Sequence, residues 1–161
     1  MRELHELLLW LCSIPSVTGG EREIADEIAQ YLASLATPLV ARRHENSLVV
    51  PLTRGASGPS ILLVAQLDTT DVASAATPGR DGERVVGAGA ADAKSGLALL
   101  LALTAQRPVM TGNVTLVLHA GGEAGFDNSE LGLVFAREPE LRSSDFALVM
   151  NPTSNRLQLG C

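Results

Sequence analysis

The chain has 161 residues, of which 46% are hydrophobic and only 3% are aromatic, so its length and composition predict one packed domain with an aliphatic core. Twelve Lys and Arg residues against 18 Asp and Glu residues give a formal charge of −6. An acidic chain without a Lys/Arg run is not expected to bind nucleic acid or an anionic membrane.

Two helices are predicted at the start of the chain. Residues 2–11 place four leucines on one face at helical spacing. A second helix carries an apolar stripe from Ile24 to Leu35, and Thr18 and Glu21 ahead of it fit a capping box. Two strands follow, at Ser47–Leu52 and Ser60–Ala65, with a turn-rich linker between them.

The remaining predicted elements alternate between helix and strand. In chain order they are a helix at 92–106 that is apolar nearly all round and therefore buried, a strand at Val114–Leu118, a helix at Asn128–Arg137 and a strand at Phe146–Met150. Such alternation predicts an α/β three-layer sandwich with a largely parallel sheet.

Targeting and redox signals are weak. The longest strongly apolar run, Leu97–Leu103, is far shorter than the roughly 20 residues of a membrane-spanning helix. Glu3 and Glu6 stand where a signal peptide would carry positive charge. Cys12 and Cys161 belong to no CxxC pair, so no redox motif or thiolate zinc site is indicated. We expect a cytoplasmic protein with reduced thiols.

Polar side chains follow three predicted strands at the points where these strands end. Gln66 and Asp68 follow the second strand, Glu123 follows the third, and Asn151 follows the fourth. In open α/β sheets the ligand crevice lies outside the carboxyl ends of the strands. The sequence therefore predicts that these side chains form one site.

Four sequence blocks in order carry a resemblance to a known family. Residues 65–70 read AQLDTT and resemble a His-x-Asp-Thr-Val segment, and residues 87–96 read GAGAADAKSG and resemble Gly-x-Gly-x-x-Asp-x-Lys-x-Gly. Residues 121–125 read GGEAG and lie where the family has Asp/Cys-Glu-Glu-x-Gly, and residues 151–153 read NPT where it has Glu-Pro-Thr. The chain resembles the co-catalytic zinc amidases and carboxypeptidases, and within them the succinyl-diaminopimelate desuccinylases of lysine biosynthesis.

The resemblance implies roles for three carboxylates. Asp92 matches the carboxylate that bridges two zinc ions, although aspartate also suits the helix N-cap at this position. Glu123 matches a carboxylate ligand of one zinc, with a solvated loop glutamate as the alternative. Asp68 matches the residue that orients a metal-bound histidine. Zinc or cobalt is the cofactor that the family implies.

Three substitutions oppose that chemistry. Gln66 and Asn151 stand where the family has histidine and glutamate ligands, and neutral amides bind zinc poorly. Gly122 stands where the family has its general base, and glycine cannot accept a proton from water. His119, four residues before Glu123, is a conceivable replacement ligand, but its place at a strand end favours a structural role. His5 and His44 read as surface residues. No cofactor is expected to bind tightly.

Other hydrolase and cofactor signatures are missing from the sequence. It contains neither a Ser-x-x-Lys pair nor a Gly-x-Ser-x-Gly elbow, and the glycines at 87 and 89 do not match a dinucleotide fingerprint.

The resemblance covers only an N-terminal part of the family's catalytic domain. Residues 1–161 are expected to lack the lid and dimerisation domain and the returning C-terminal segment, which supplies a further zinc-binding histidine. Three functions stay open: an inactive relative, an active zinc-dependent desuccinylase-type amidase, and a partial subunit that assembles with a second chain. An incomplete sheet would favour a homo-oligomer or a protein partner.

Overall fold

The computed structural model of the protein describes residues 3–70, 77–154 and 156–159. Its α-helices are α1 (Leu4–Ser13), α2 (Arg22–Ala33), α3 (Ala93–Leu103) and α4 (Leu131–Arg137). Its strands are β1 (Arg42–His44), β2 (Ser47–Pro51), β3 (Ser60–Gln66), β4 (Gly79–Asp81), β5 (Arg84–Val86), β6 (Asn113–His119) and β7 (Phe146–Val149). Short 3-10 helices lie at Thr104–Val109, Phe126–Asn128 and Pro139–Ser143. None of the helices in these ranges is long and apolar enough to cross a membrane.

Five strands form the main sheet, in the order β1-β2-β6-β3-β7. β3 lies between β6 and β7 and is parallel to both, with Leu63 opposite Leu116 on one side and Leu148 on the other. β2 is antiparallel to β6, and β1 and β2 form a hairpin. β4 and β5 form a separate hairpin. The α/β class is confirmed, and the sheet combines a parallel half with an antiparallel hairpin.

The two faces of the sheet carry cores of unequal size. Side chains alternate along a strand, so Leu63 and Ala65 of β3 point to one face and Leu62 and Val64 to the other. The first face packs against α1, α2 and α3 in a large aliphatic core. On the second face a smaller cluster packs against α4 and the 3-10 turn that follows it.

The capping-box prediction for α2 is wrong. The helix begins at Arg22 with Glu21 at the N-cap, and no side chain caps it. The Thr18 hydroxyl instead donates to the Asp68 carboxylate, at 2.9 Å. A hydrogen bond to an ionised acceptor is about twice as strong as a neutral one, which explains why the distant partner displaces the local cap.

Helix α3 is less buried than its sequence predicted. It ends at Leu103, and the chain continues as a 3-10 helix from Thr104. Leu99 and Leu103, one turn apart, are 43% and 36% exposed. An apolar stripe on α3 therefore faces away from the core.

Strand β1 is held to the second face by a buried carboxylate. Glu138, only 4% exposed, accepts hydrogen bonds from the Arg42 guanidinium, with Nε at 2.8 Å. His44 Nε2 lies 2.6 Å from the same carboxylate, so the prediction of a surface histidine is wrong. The Arg42 hydrogen bond, and secondarily that of His44, lowers the pKa of Glu138.

Candidate functional site

The carboxyl ends of β3 and β6 form the base of the site. Gln66 is opposite His119 in the parallel ladder, and Leu67 N–H donates to the His119 carbonyl at 2.8 Å. The chain segments that follow the two strands therefore run side by side. As predicted from the strand ends, Gln66, Asp68 and Glu123 come together.

Asp68 is fully buried and fixes the loop that carries Glu123. Its Oδ1 accepts a hydrogen bond from Gly122 N–H at 2.8 Å, and its Oδ2 accepts one from Glu123 N–H at 2.9 Å. The Thr18 hydroxyl is the third donor. In this structure the carboxylate anchors backbone N–H groups; its family role, orienting a metal-bound histidine, stays a prediction.

Gln66 occupies the centre of the site. Its side-chain amide donates to the Glu123 carboxylate and lies 3.5 Å from the Asp68 carbonyl. Gly122 packs directly against it, because a Cβ on that glycine would lie 2.5 Å from Gln66 Oε1 and 2.7 Å from Cδ. The substitution at 66 therefore fills the space next to the predicted general-base position.

A second buried carboxylate, Glu21, supports the same loop. It is 2% exposed, and its Oε1 accepts hydrogen bonds from Gly19 N–H at 3.0 Å and Gly121 N–H at 3.1 Å. Gly121 has a φ of +71°, a conformation that glycine adopts without steric cost. The sequence pattern assigned Glu21 to a helix cap. Its partner Gly121 lies 100 residues further along the chain, where no local pattern indicates the contact.

Asp92 and Asn151 lie on other elements, before α3 and after β7 respectively. Asp92 immediately precedes α3 and makes no side-chain cap hydrogen bond. Met150, next to Asn151, packs against Gly96 of α3, where an added Cβ would lie 2.6 Å from the Met150 carbonyl oxygen. Both polar side chains are exposed, and neither has a hydrogen bond to Gln66 or Glu123 within the described residues. Their assignment as metal-ligand positions stays a prediction.

Two basic groups near the site are buried. His119 is 8% exposed, its Nδ1 lies 3.1 Å from Ser129 Oγ, and burial lowers its pKa. Lys94 is 1% exposed and donates to the Ile14 carbonyl at 2.6 Å, and burial likewise lowers its pKa. Burial also raises the pKa of the nearby Cys12 thiol. Cys161 lies outside the described residues.

The residues present do not fit a two-zinc centre. Across 3–70, 77–154 and 156–159, no group of three or more His, Cys, Asp or Glu side chains is placed to hold a metal ion. Glu123 accepts a hydrogen bond from the Gln66 amide, which lies at the predicted position of a histidine ligand. The neutral amide of Gln66 is a poor zinc ligand, and Gly122 has no side-chain donor atom.

Comparison with known proteins supports the resemblance read from the sequence. No family profile matches the chain. It is 33% identical over 156 residues to a provisionally named succinyl-diaminopimelate desuccinylase of Mycobacterium tuberculosis, covering 97% of this chain and 44% of that protein. It is 30% identical over 154 residues to the succinyl-diaminopimelate desuccinylase of Corynebacterium glutamicum, covering 94% of this chain and 42% of that protein. The chain thus spans less than half the length of these relatives.

The fold is shared with a solved metalloenzyme. An M20 family metallo-carboxypeptidase from Sulfolobus solfataricus superposes with a TM-score of 0.75 at 17% identity, covering 92% of this chain and 37% of that one. The resemblance read from the sequence implies a metal cofactor, and the described residues do not fit one. The chain is thus similar to the N-terminal part of the succinyl-diaminopimelate desuccinylases and shares the fold of an M20 family metallo-carboxypeptidase.

Proposed function

We propose that this chain is a non-hydrolytic relative of the two-zinc amidases. The observation that carries the proposal is the hydrogen bond from the Gln66 amide to the Glu123 carboxylate beside Gly122. A hydrogen-bonded pair takes the place of one predicted metal ligand and engages another. Within the described residues, no group of three or more His, Cys, Asp or Glu side chains is placed to replace the lost ligands.

The substitutions remove more than one of the groups that amide hydrolysis requires. Removing a general base alone lowers the rate of a hydrolase by about 10²–10⁴-fold, and Gly122 has no group that accepts a proton. A metal ion would supply the activated hydroxide and the Lewis acid of the reaction, and Gln66 and Asn151 are poor ligands for it.

A cytoplasmic location remains an expectation from the sequence.

Metal binding and turnover test the proposal together. We expect elemental analysis after equilibration with zinc and dialysis at neutral pH to find no stoichiometric zinc. We expect no hydrolysis of N-succinyl-diaminopimelate or N-acetyl amino acids above background. One or more equivalents of retained zinc, or zinc-dependent turnover, would instead support an active desuccinylase-type amidase.

A restored variant provides the positive control. Gln66→His, Gly122→Glu and Asn151→Glu together return the family's residue types at three positions. We expect this triple variant to retain more zinc than the unmodified chain and to show little turnover. Equal zinc content in the two proteins would show that the three substitutions do not determine metal binding.

A second candidate function is that of an interaction subunit, favoured by the exposure of β7. Among the strands in the described ranges this one lies at the edge of the main sheet, and Phe146 and Leu148 are 66% and 43% exposed. Leu148 is opposite Leu63, which belongs to the first-face core, so its side chain lies on the side of the sheet covered by α3. The apolar stripe of Leu99 and Leu103 on α3 faces outward there. An open, apolar strand edge invites pairing with another chain.

We take a second copy of this chain as the partner, because two identical edges can pair antiparallel around a twofold axis. Light scattering should then give twice the monomer mass of 16.8 kDa. Leu148→Lys should return the protein to a monomer, whereas Val109→Lys, which replaces a 73% exposed residue on the 3-10 helix after α3, should not. A compact monomer with a sharp thermal transition would contradict the subunit function.

A further inference from the structure

A pocket of about 620 Å³ lies on the second face of the sheet, under α4. We call it the α4 pocket; Leu62 of β3, Leu131 and Phe135 of α4, and Arg142 after the 3-10 turn line it. Ligand sites for small molecules are typically about 300–1,000 Å³ in volume. The α4 pocket is therefore large enough for a small organic molecule.

The walls of the pocket are mostly apolar. Leu62 is 3% exposed and Leu141, which lines the same side, is 6% exposed. Phe135 adds an aromatic surface. An apolar wall selects a hydrocarbon body, because burying apolar surface contributes about 25 cal/mol per Å².

The polar groups of the pocket differ in charge. His119 and Ser129 line it together, and burial lowers the pKa of the histidine, so the imidazole is neutral at neutral pH. Arg142 is the cation at the opening. Within the described part of the chain its guanidinium has no ion pair or hydrogen bond, whereas Arg42 and Arg43 are paired with carboxylates. An unpaired guanidinium beside an apolar cavity matches a carboxylate, which it can bind through two parallel hydrogen bonds.

We propose that the α4 pocket binds a small apolar monocarboxylate, with the carboxylate on Arg142 and the hydrocarbon body against Leu62 and Phe135. The net charge of −6 disfavours small anions that lack such a body, because long-range repulsion acts on them without compensation. Gly122 also lines the pocket, which therefore adjoins the candidate site, although neither Gln66 nor Glu123 lines it. Binding through Arg142, Leu62 and Phe135 does not depend on whether that site hydrolyses amides.

Calorimetry with three matched probes tests the ligand class. 4-Phenylbutyrate has both the carboxylate and the apolar body, 4-phenylbutanol has the body alone, and acetate has the charge alone. We expect saturable one-to-one binding of 4-phenylbutyrate, with an affinity at least about tenfold above that of either of the other two. A tenfold ratio corresponds to about 1.4 kcal/mol.

Two variants locate the site, and one serves as a control. Arg142→Gln should weaken 4-phenylbutyrate binding about tenfold or more and leave 4-phenylbutanol unaffected. Gly132→Leu fills the pocket from α4, where an added Cβ meets no atom within 4 Å, so it should block both probes without disturbing the core. Arg137→Gln removes the same charge from α4 outside the pocket and should change neither affinity.

Several results would overturn the proposal. Equal affinity for acid and alcohol would show an apolar cavity without carboxylate recognition. Binding that survives both Arg142→Gln and Gly132→Leu would place the ligand elsewhere. Absence of 4-phenylbutyrate binding at millimolar concentration, in a protein whose cooperative unfolding shows that it is folded, would contradict the proposal directly.

Discussion

The contact between Gly122 and Gln66 predicts a measurable energetic coupling. A methyl group at position 122 would lie 2.5 Å from Gln66 Oε1 and 2.7 Å from both Cβ and Cδ, whereas non-bonded carbons normally stay about 3.5–4.0 Å apart. The amide can rotate away, at the expense of its hydrogen bond to Glu123, but Cβ cannot. Overpacking of this kind costs about 1–3 kcal/mol, so Gly122→Ala should destabilise the protein by that amount.

A double-mutant cycle measures the coupling. Gln66→Ala removes Oε1 and Cδ and leaves Cβ, so two of the three close contacts disappear. Gly122→Ala should therefore cost about 0.5–3 kcal/mol less in the Gln66→Ala background. Urea unfolding provides the free energies, and an unchanged m-value shows that the transition stays two-state.

Gly132→Ala is the matched control for the backbone effect. Its added Cβ meets open space on α4, so alanine should be neutral or stabilise the helix by up to about 1 kcal/mol. If the effects of Gln66→Ala and Gly122→Ala on the free energy of unfolding are additive within about 0.5 kcal/mol, Gln66 does not fill the space beside Gly122.

Three further predictions concern stability. Asp68→Asn should cost about 1.5–3 kcal/mol in urea unfolding, because an amide nitrogen would face N–H and O–H donors, and a cost below 0.5 kcal/mol would show that the loop does not depend on the carboxylate. Because the pKa of Glu138 is lowered in the folded state, its stabilisation is present above the unfolded-state value of about 4.3 and is lost as the pH falls through the folded-state value. The stability difference between the unmodified protein and Glu138→Gln should accordingly shrink below about pH 4.3, and a difference that is constant down to pH 2 would contradict this. Leu116→Ala, at a fully buried position in β6, should lower the free energy of unfolding by about 2–5 kcal/mol. A smaller loss would indicate that the core collapses into the cavity left by the leucine.

The elements with a strong apolar pattern were predictable from the sequence. Strands β3 and β6 are continuous aliphatic runs, and because parallel strands end at one edge of a sheet, the meeting of Gln66 with Glu123 followed from their positions. Strand β1 was missed, since Arg42 to His44 has no apolar alternation. It pairs with β2 and is anchored by Glu138, a contact across 96 residues that no local pattern reveals.

The chemistry of the site was less predictable than its location. The resemblance identified Gln66 and Gly122 as substituted positions, but the packing of one against the other depends on the geometry of two separate loops. Glu21 and Thr18 had a local explanation as a capping box. Buried tertiary partners, Gly121 for Glu21 and Asp68 for Thr18, outweighed it. Local propensity gives way where a charged acceptor is buried and needs donors.

The position of β3 between β6 and β7 has a consequence for synthesis. Both neighbours are parallel to β3 and follow it in the chain, so neither can be supplied by a tight hairpin. A nascent chain that ends within α3 exposes an aliphatic β3 without a partner on either side. The closure of long loops, rather than local helix formation, should therefore limit the folding rate, as expected for a topology of high contact order. Until β6 emerges from the ribosome, β3 is therefore an unpaired aliphatic strand, which is a feature of aggregation-prone folding intermediates.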